Sequence, residues 1–343
     1  MTETDTAAAT DERPRPGERA RRPWWRSRWL RALSWAGTAG VAAYTLVRLL
    51  GLETGWLLVT TVAFVPYAAI GALAAAGIQA AVRHWAALAA TGACALALGA
   101  VLLPRVVEDA PAEAAGTEFT VMSVNLYVGQ TDLERVVDLV EEHAPDLLSV
   151  QELTPGAADR LAELGLGDLL PHSILEPDDL AVGTGLYAAH PIERIDTVGR
   201  EGIFYQIGAE VDLGGEAVRF MAVHTAAPAS RERIPLWEED FADMPRPDGG
   251  APWILAGDFN ATLDHDNMRG LLADGYTDAA EALGEGLTPT WQPTSDGYFG
   301  FVKIPPVTLD HVLAEDGVAV LDWEVLGKGG SDHAPVLARL QLP

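Results

Sequence analysis

Several apolar runs in the C-terminal two-thirds of the chain stop abruptly on a carboxylate, an amide or an imidazole. Asn125 closes FTVMSVN, Gln151-Glu152 follows DLLSV, and His224 closes RFMAVH. Asp258 and Asn260 follow WILAG in GDFN, Asp310 lies in TLDHVL, and Asp332-His333 lies in GGSDHAPV. Carboxylates and amides offer oxygen to a cation, and carboxylates and imidazoles move protons. An apolar strand that ends on such a group aims it out of the sheet edge, where several ends converge on one crevice.

Singly, these residues have ordinary explanations. Asp258 fits a turn after a strand, and Asn260 a helix cap before Ala261-Thr262. The ordered set outweighs those readings, because groups that perturb one another cluster at sites. Asp310 and His311 are neighbours on a strand and face opposite ways, so Asp310 is assigned to the site and His311 to packing. His143, His172, His190 and His265 lie in no motif, and Asp264 and Asp266 read as caps for the helix after Thr262.

The elements that must position these groups follow from pattern. Strands are expected at Phe119–Asn125, Asp146–Val150, Gly185–Ala189, Phe204–Val211, Ala217–Val223, Trp253–Ala256, Thr308–Leu313 and Ala334–Leu340. Helices are expected at Asp132–His143, Ala229–Asp243 and Asp266–Ala273. Strands with helices between some and hairpin-like breaks between others indicate an α/β (α+β) sandwich with mixed sheets. This domain spans 119–343, behind a linker of small, acidic and Pro residues over 108–118.

Ahead of the linker the composition changes. Residues 1–31 are polar and carry eight arginines, a composition that reads as a disordered basic tail. Three apolar runs follow, Ala32–Leu50, Trp56–Ala81 and Trp85–Val107, each near the ~20 residues that cross a bilayer as a helix. Trp24, Trp25, Trp29, Trp56 and Trp85 fall near their ends, as interfacial aromatics do. The expectation is a three-helix transmembrane anchor over 32–107 in the cell membrane. With the basic tail held in the cytoplasm, an odd number of crossings leaves the C-terminal domain extracytoplasmic.

The C-terminal motifs resemble the endonuclease/exonuclease/phosphatase superfamily. Asn125, Gln151-Glu152, GDFN (257–260), LDHVL (309–313) and GSDH (330–333) stand in the order found there, with Thr290-Trp291 of TPTWQP fitting the same pattern. The resemblance covers about Phe119 to Leu342. It implies a four-layer αββα sandwich with two mixed sheets, and hydrolysis of a phosphodiester or phosphomonoester by metal-assisted attack of water. It further implies Mg²⁺ (or Mn²⁺) held by Glu152, with Asn125 and Asp332 close to the ion or its waters. Asp258 would orient and deprotonate the water, and Asn260 and His224 would bond the phosphoryl oxygens. His333, polarised by Asp310, would serve the phosphate or the leaving group. The competing reading is a catalytically silent, membrane-tethered binding module of the same fold. Decayed members should lose a ligand or the Asp–His pair, and neither is lost.

Charge narrows the substrate. Residues 1–107 carry 11 basic and 6 acidic side chains, whereas 108–343 carry 12 basic and 43 acidic ones. Such a domain gains nothing from counterion release on duplex DNA. Lipid head groups and extracellular nucleic acid are the expected phosphoester partners, with the bilayer as the other partner. Trp291–Pro306 lacks the Pro-x-Trp-x-Asp-Arg block of inositol phosphatases. Tyr298–Pro306 reads as an apolar loop touching lipid or as a buried strand and turn. The single cysteine, Cys94, excludes an intramolecular disulfide and a thiolate metal site.

Overall fold

A computed structural model describes residues 27–110, 112–196, 204–293 and 303–343. The basic tail up to Arg26, with Trp24 and Trp25, and the Tyr298–Val302 part of the predicted apolar segment lie outside the described residues.

Residues from Glu118 onward build two six-stranded mixed sheets. The first contains β1 (Glu118–Asn125), β2 (Leu147–Gln151), β3 (His172–Glu176), β4 (Thr184–Ala188), β11 (Ala319–Val325) and β12 (Val336–Gln341), in the order β11-β12-β1-β2-β4-β3. The second contains β5 (Ile192–Arg194), β6 (Ile207–Asp212), β7 (Ala217–His224), β8 (Trp253–Asp258), β9 (Tyr276–Asp278) and β10 (Asp310–Glu315), in the order β5-β6-β7-β8-β10-β9. One parallel pair lies at the centre of each sheet, β1 with β2 and β7 with β8. Because side chains alternate along a strand, neighbours serve different cores. Val121, Leu147, Ile254 and Val312 pack between the sheets. Met122 and Leu148 turn outward to Leu133, Val136 and Leu161 of the helices on the first sheet. Leu255 and Leu313 turn outward to Trp237, Phe241, Met268 and Leu271 on the second. Three apolar layers between four layers of structure make an αββα sandwich.

The covering helices start where their sequences dictate. Asp132 caps α5 (Leu133–His143) by accepting the Arg135 N–H at 3.1 Å, and Thr154 caps α6 (Pro155–Glu163) by accepting the Ala157 N–H at 3.2 Å. The predicted helix 266–273 is present as α9 (Asp266–Ala273), and the one from Ala229 begins later, as α8 (Ile234–Ala242). β3, β5, β9 and β11 were not expected. All four are edge strands; β3, β5 and β11 have exposed positions, and β9 is only three residues long, so little apolar alternation marks them.

The front end departs from three uninterrupted spans. It forms α1 (Arg28–Leu50), α2 (Gly55–Val62), α3 (Val65–Ala81) and α4 (Trp85–Leu102), closed by a 3₁₀ turn at Leu103–Val106. Among the described residues only Trp85–Val106 is by itself long and apolar enough to cross a membrane, and α1 with α2 qualifies only as a pair bent by 89°. Pro66 breaks the second run: it has no N–H to donate, and its ring would clash with the carbonyl of Val62 in a continuous helix. That leaves α3 at 17 residues, short of a full span. The interior of this helical unit is partly polar. Thr38 bonds Thr91 at 2.9 Å, and Gln79 donates to Thr38 at 3.1 Å. Its outside is apolar, with Leu33, Ile70, Leu73, Ile78 and Leu96 all more than 60% exposed.

Candidate active site

Strand register assembles the predicted residues. Asn125 pairs with Gln151 across β1 and β2, which sets Glu152 beside it. His224 pairs with Asp258 across β7 and β8, and Asp258 with Asp310 across β8 and β10. Gly257 permits the β7–β8 contact, since a Cβ there would sit 1.8 Å from the Val223 carbonyl oxygen. His333 arrives from the turn before β12, which bridges to Trp291.

The first sheet supplies Asn125 and Glu152. Asn125 Nδ2 lies 3.3 Å from Glu152 Oε1 and 3.2 Å from Asp258 Oδ2, so one amide ties the two sheets together. Its Oδ1 accepts the Tyr127 N–H at 2.9 Å. Glu152 accepts the Val128 N–H at 2.7 Å and adopts φ 56°, a left-handed conformation that costs a non-glycine residue on the order of 1 kcal/mol. Burial pushes its carboxyl above the ordinary range, against the lowering effect of the Asn125 hydrogen bond and of His333.

The second sheet supplies Asp258, Asp310 and His224, and His333 reaches them from the turn before β12. Asp258 is 1% exposed, and its Oδ1 accepts the Asn260 N–H at 2.8 Å. His333 Nε2 lies 3.5 Å from Asp258 Oδ2, and His333 Nδ1 lies 2.9 Å from Asp310 Oδ2. Burial raises Asp258 above the usual carboxylate range. Burial would lower His333, but the carboxylates of Asp310 and Asp258 override it and hold the ring as imidazolium. His224 is the opposite case: burial, aided by the charge on His333, drops it to about 3, so it is a neutral imidazole. Its Nε2 is 3.9 Å from Asp258 Oδ2, and its buried Nδ1 has no hydrogen-bond partner. Asn260, at φ 47°, donates one amide hydrogen to the Thr225 carbonyl at 2.9 Å and keeps a second to offer.

Asp332 sits at the rim. Its Oδ2 accepts the Trp291 indole N–H at 3.0 Å, while its buried Oδ1 has no hydrogen-bond partner. Glu152 and Asp332 are close enough for each charge to act on the other. An orphaned carboxylate oxygen near a second carboxylate and an amide fits a hard divalent cation, which takes oxygen ligands and keeps several waters. Among the described residues, the one set of three His, Cys or acidic side chains with ligand atoms within 4.8 Å is Asp258, Asp310 and His333. There the imidazolium already occupies the position between the two carboxylates.

Three supporting residues carried no assigned role in the sequence reading. Thr290 Oγ1 accepts the N–H groups of Leu309 and Asp310 at 3.0 Å each, fixing the start of β10. Trp291 orients Asp332, and Ser331 Oγ donates to the Asn125 carbonyl at 3.1 Å, closing the ring of elements. The TPTWQP run and the Ser of GSDH were visible signals, but hydrogen bonds between distant segments were not. Asp264, expected as a cap, caps nothing and is instead buried in an ion pair. His311 packs as expected, bonded to Asp278 at 2.8 Å and to the Ala261 carbonyl at 3.0 Å.

The family model for the endonuclease/exonuclease/phosphatase family matches residues 122–333. The chain belongs to this family. Its members are hydrolases of phosphoester bonds that use divalent metal ions. Among solved structures, truncated Caenorhabditis elegans TDP2 is similar at a TM-score of 0.51 and 19% identity, covering 67% of this chain and 100% of that one. Danio rerio TDP2, complexed with a single-strand DNA product, gives 0.51 and 19%, with 66% and 99% covered. A family member from Leptotrichia buccalis gives 0.50 and 13%, with 65% and 100% covered. At these identities the likeness is one of fold. No curated protein matches the chain.

Proposed function

We propose that the protein is a membrane-tethered, Mg²⁺-dependent phosphoesterase. The observation that carries this reading is the in-register meeting of Asp258, Asp310 and His224, with His333 and the Asn125–Glu152 pair closing on the same carboxylate. Glu152 and Asp332 would hold Mg²⁺ (or Mn²⁺), with Asn125 at its edge. The ion would neutralise charge on the phosphoryl oxygens. Asp258, buried and raised, accepts the proton of the attacking water. Asn260 and neutral His224 donate hydrogen bonds to the phosphoryl oxygens as charge builds. His333 donates the Nε2 proton to the leaving oxygen, and Asp258, 3.5 Å away, returns a proton to it.

The helical unit supports the tethered part of this reading, with polar groups inside and large apolar side chains outside. α1 and α4 end, and α3 begins, on the side of the catalytic domain: Arg48, Arg105 and Tyr67 all contact it. The opposite ends meet at the Ser34–His84 hydrogen bond. A single crossing by Trp85–Val106 is an odd count, and with a cytoplasmic tail it would leave the catalytic domain extracytoplasmic. The favoured substrate is the phosphoester of a lipid head group, since loops beside the site rest on an apolar-surfaced unit and the acidic domain repels a polyanion.

The test uses the full chain in detergent micelles with Mg²⁺. Phospholipid and sphingolipid head-group esters, a single-stranded oligonucleotide and simple phosphomonoesters are compared. Mg²⁺-dependent release from a lipid ester, abolished by EDTA, is expected. Cleavage of the oligonucleotide alone would move the substrate to nucleic acid, and no hydrolysis of any ester would end the phosphoesterase reading.

A further inference from the structure

The loop after β8 is held by the helical unit as well as by the sandwich. Asp264 lies on this loop, beyond Asn260, and is 0% exposed. Two arginines from separate parts of the helical unit grip it. Arg105 Nη1 and Nη2 donate to its two oxygens at 2.7 and 3.0 Å, and Arg48 Nε donates to Oδ1 at 2.6 Å. Both guanidiniums are buried as well, at 3% and 6% exposed. Burial alone would raise the Asp264 carboxyl, but Arg105 and Arg48 together hold it below the usual range.

Neighbouring bonds repeat the pattern. His265 Nε2 reaches the Val59 carbonyl at 3.0 Å, the Glu53 carboxylate accepts the Asp266 N–H, and Arg269 donates to the Arg48 carbonyl at 3.2 Å. On the sandwich side, His311 holds the Ala261 carbonyl and Thr225 Oγ1 the Phe259 carbonyl at 2.6 Å. The loop between these anchors contains Asn260 in its left-handed conformation, which persists only where the surroundings fix it.

We propose that Asp264 is a positioning residue: clamped by Arg48 and Arg105, it makes the helical segment a structural part of the active site and fixes the loop that follows Asp258 and presents Asn260. A contact that merely docked two bodies would leave that loop indifferent to its loss.

Hydrogen exchange on the full chain in micelles, read by mass spectrometry over residues 258–266, separates the two. In Asp264→Asn the loop should exchange about 10-fold faster or more, while amides of β10 keep their protection. On the substrate found for the parent, kcat should fall about 10-fold or more with KM nearly unchanged, the signature of misplaced groups. An Arg48→Gln, Arg105→Gln double variant should do the same, and combining it with Asp264→Asn should add little. Parent-like exchange in the loop and parent-like kcat would overturn the proposal. If Asp264→Asn fails to fold, the apolar triple Arg48→Met, Arg105→Met, Asp264→Leu removes all three charges together, a change that often preserves stability. Loosened exchange in that folded triple supports the clamp, and parent-like exchange overturns it. The exchange readout is independent of turnover, so a parent without phosphoesterase activity defeats the functional reading and leaves this one decided.

Discussion

Asp258 and Asp310 stand directly opposite each other across β8 and β10, and both carboxylates reach the one imidazole of His333. The pair sets the pH profile. In the proposed mechanism Asp258 works deprotonated, and its carboxyl is raised, so kcat/KM should fall on the acid side well above the range of an ordinary aspartate. In that mechanism His333 works protonated, and its proton is held by Asp310 and Asp258, so the alkaline limb should lie far above the usual histidine value. Asp310→Asn removes one of those charges and should shift the alkaline limb to lower pH. An alkaline limb unmoved by that substitution would contradict the assignment. The two limbs belong to the coupled pair rather than to either residue alone.

The same geometry predicts how losses combine. Asp258→Asn and His333→Ala should each lower kcat by about 10²-fold or more, the scale of a lost acid–base group. With both groups in one proton circuit, the double variant should cost much less than the product of the singles. Steady-state kinetics on the four combinations decides this, and fully multiplicative losses would mean that the groups act separately.

Glu152→Gln should weaken Mg²⁺ binding while leaving the fold intact, because the amide keeps the acceptor for the Val128 N–H. Calorimetric titration with Mg²⁺ and a melting curve make the check. Mg²⁺ affinity and activity equal to the parent would remove Glu152 from the ion.

Gly257→Ala tests the sheet under the site. Its Cβ would meet the Val223 carbonyl oxygen at 1.8 Å, a backbone contact that no rotamer relieves. Forcing β7 from β8 should cost about 3 kcal/mol or more, read from denaturant unfolding. A neutral result would mean that the two strands are not closely apposed there.

Reporter fusions at Gly116 and at the C-terminus test the side of the membrane. A reporter active only outside should work at both points, and one active only in the cytoplasm should be silent. The reverse result would require an even count of crossings.

The legible part of this protein lay at strand ends. WILAGD and FMAVH are apolar up to their last residue, which set His224 and Asp258 apart, and the parallel register makes them neighbours. Motif order singled out Asn125, Glu152, Asp310 and His333, which the fold then brings together. Hydropathy counted three spans because it averages over Pro66, whose effect is a local break in an otherwise apolar run. Edge strands such as β3 and β11 escaped because half-exposed residues carry no clear alternation. The role of Asp264 was hidden for another reason: its partners are Arg48 and Arg105, far away in sequence, and a buried charge looks like a turn residue until its counter-ions are seen.

The seating of the helical unit also bears on proteolysis. The stretch 108–117 is the apparent place to cut the catalytic domain loose, yet the two bodies are joined elsewhere by the Asp264 ion pairs, the His265–Val59 bond and the Tyr67–Pro306 bond. A nick in that stretch would therefore leave the enzyme intact as two non-covalently held fragments. Shedding it would mean exposing a buried carboxylate and two buried guanidiniums at once. This architecture resists release of the catalytic domain and keeps its candidate site beside the helical unit.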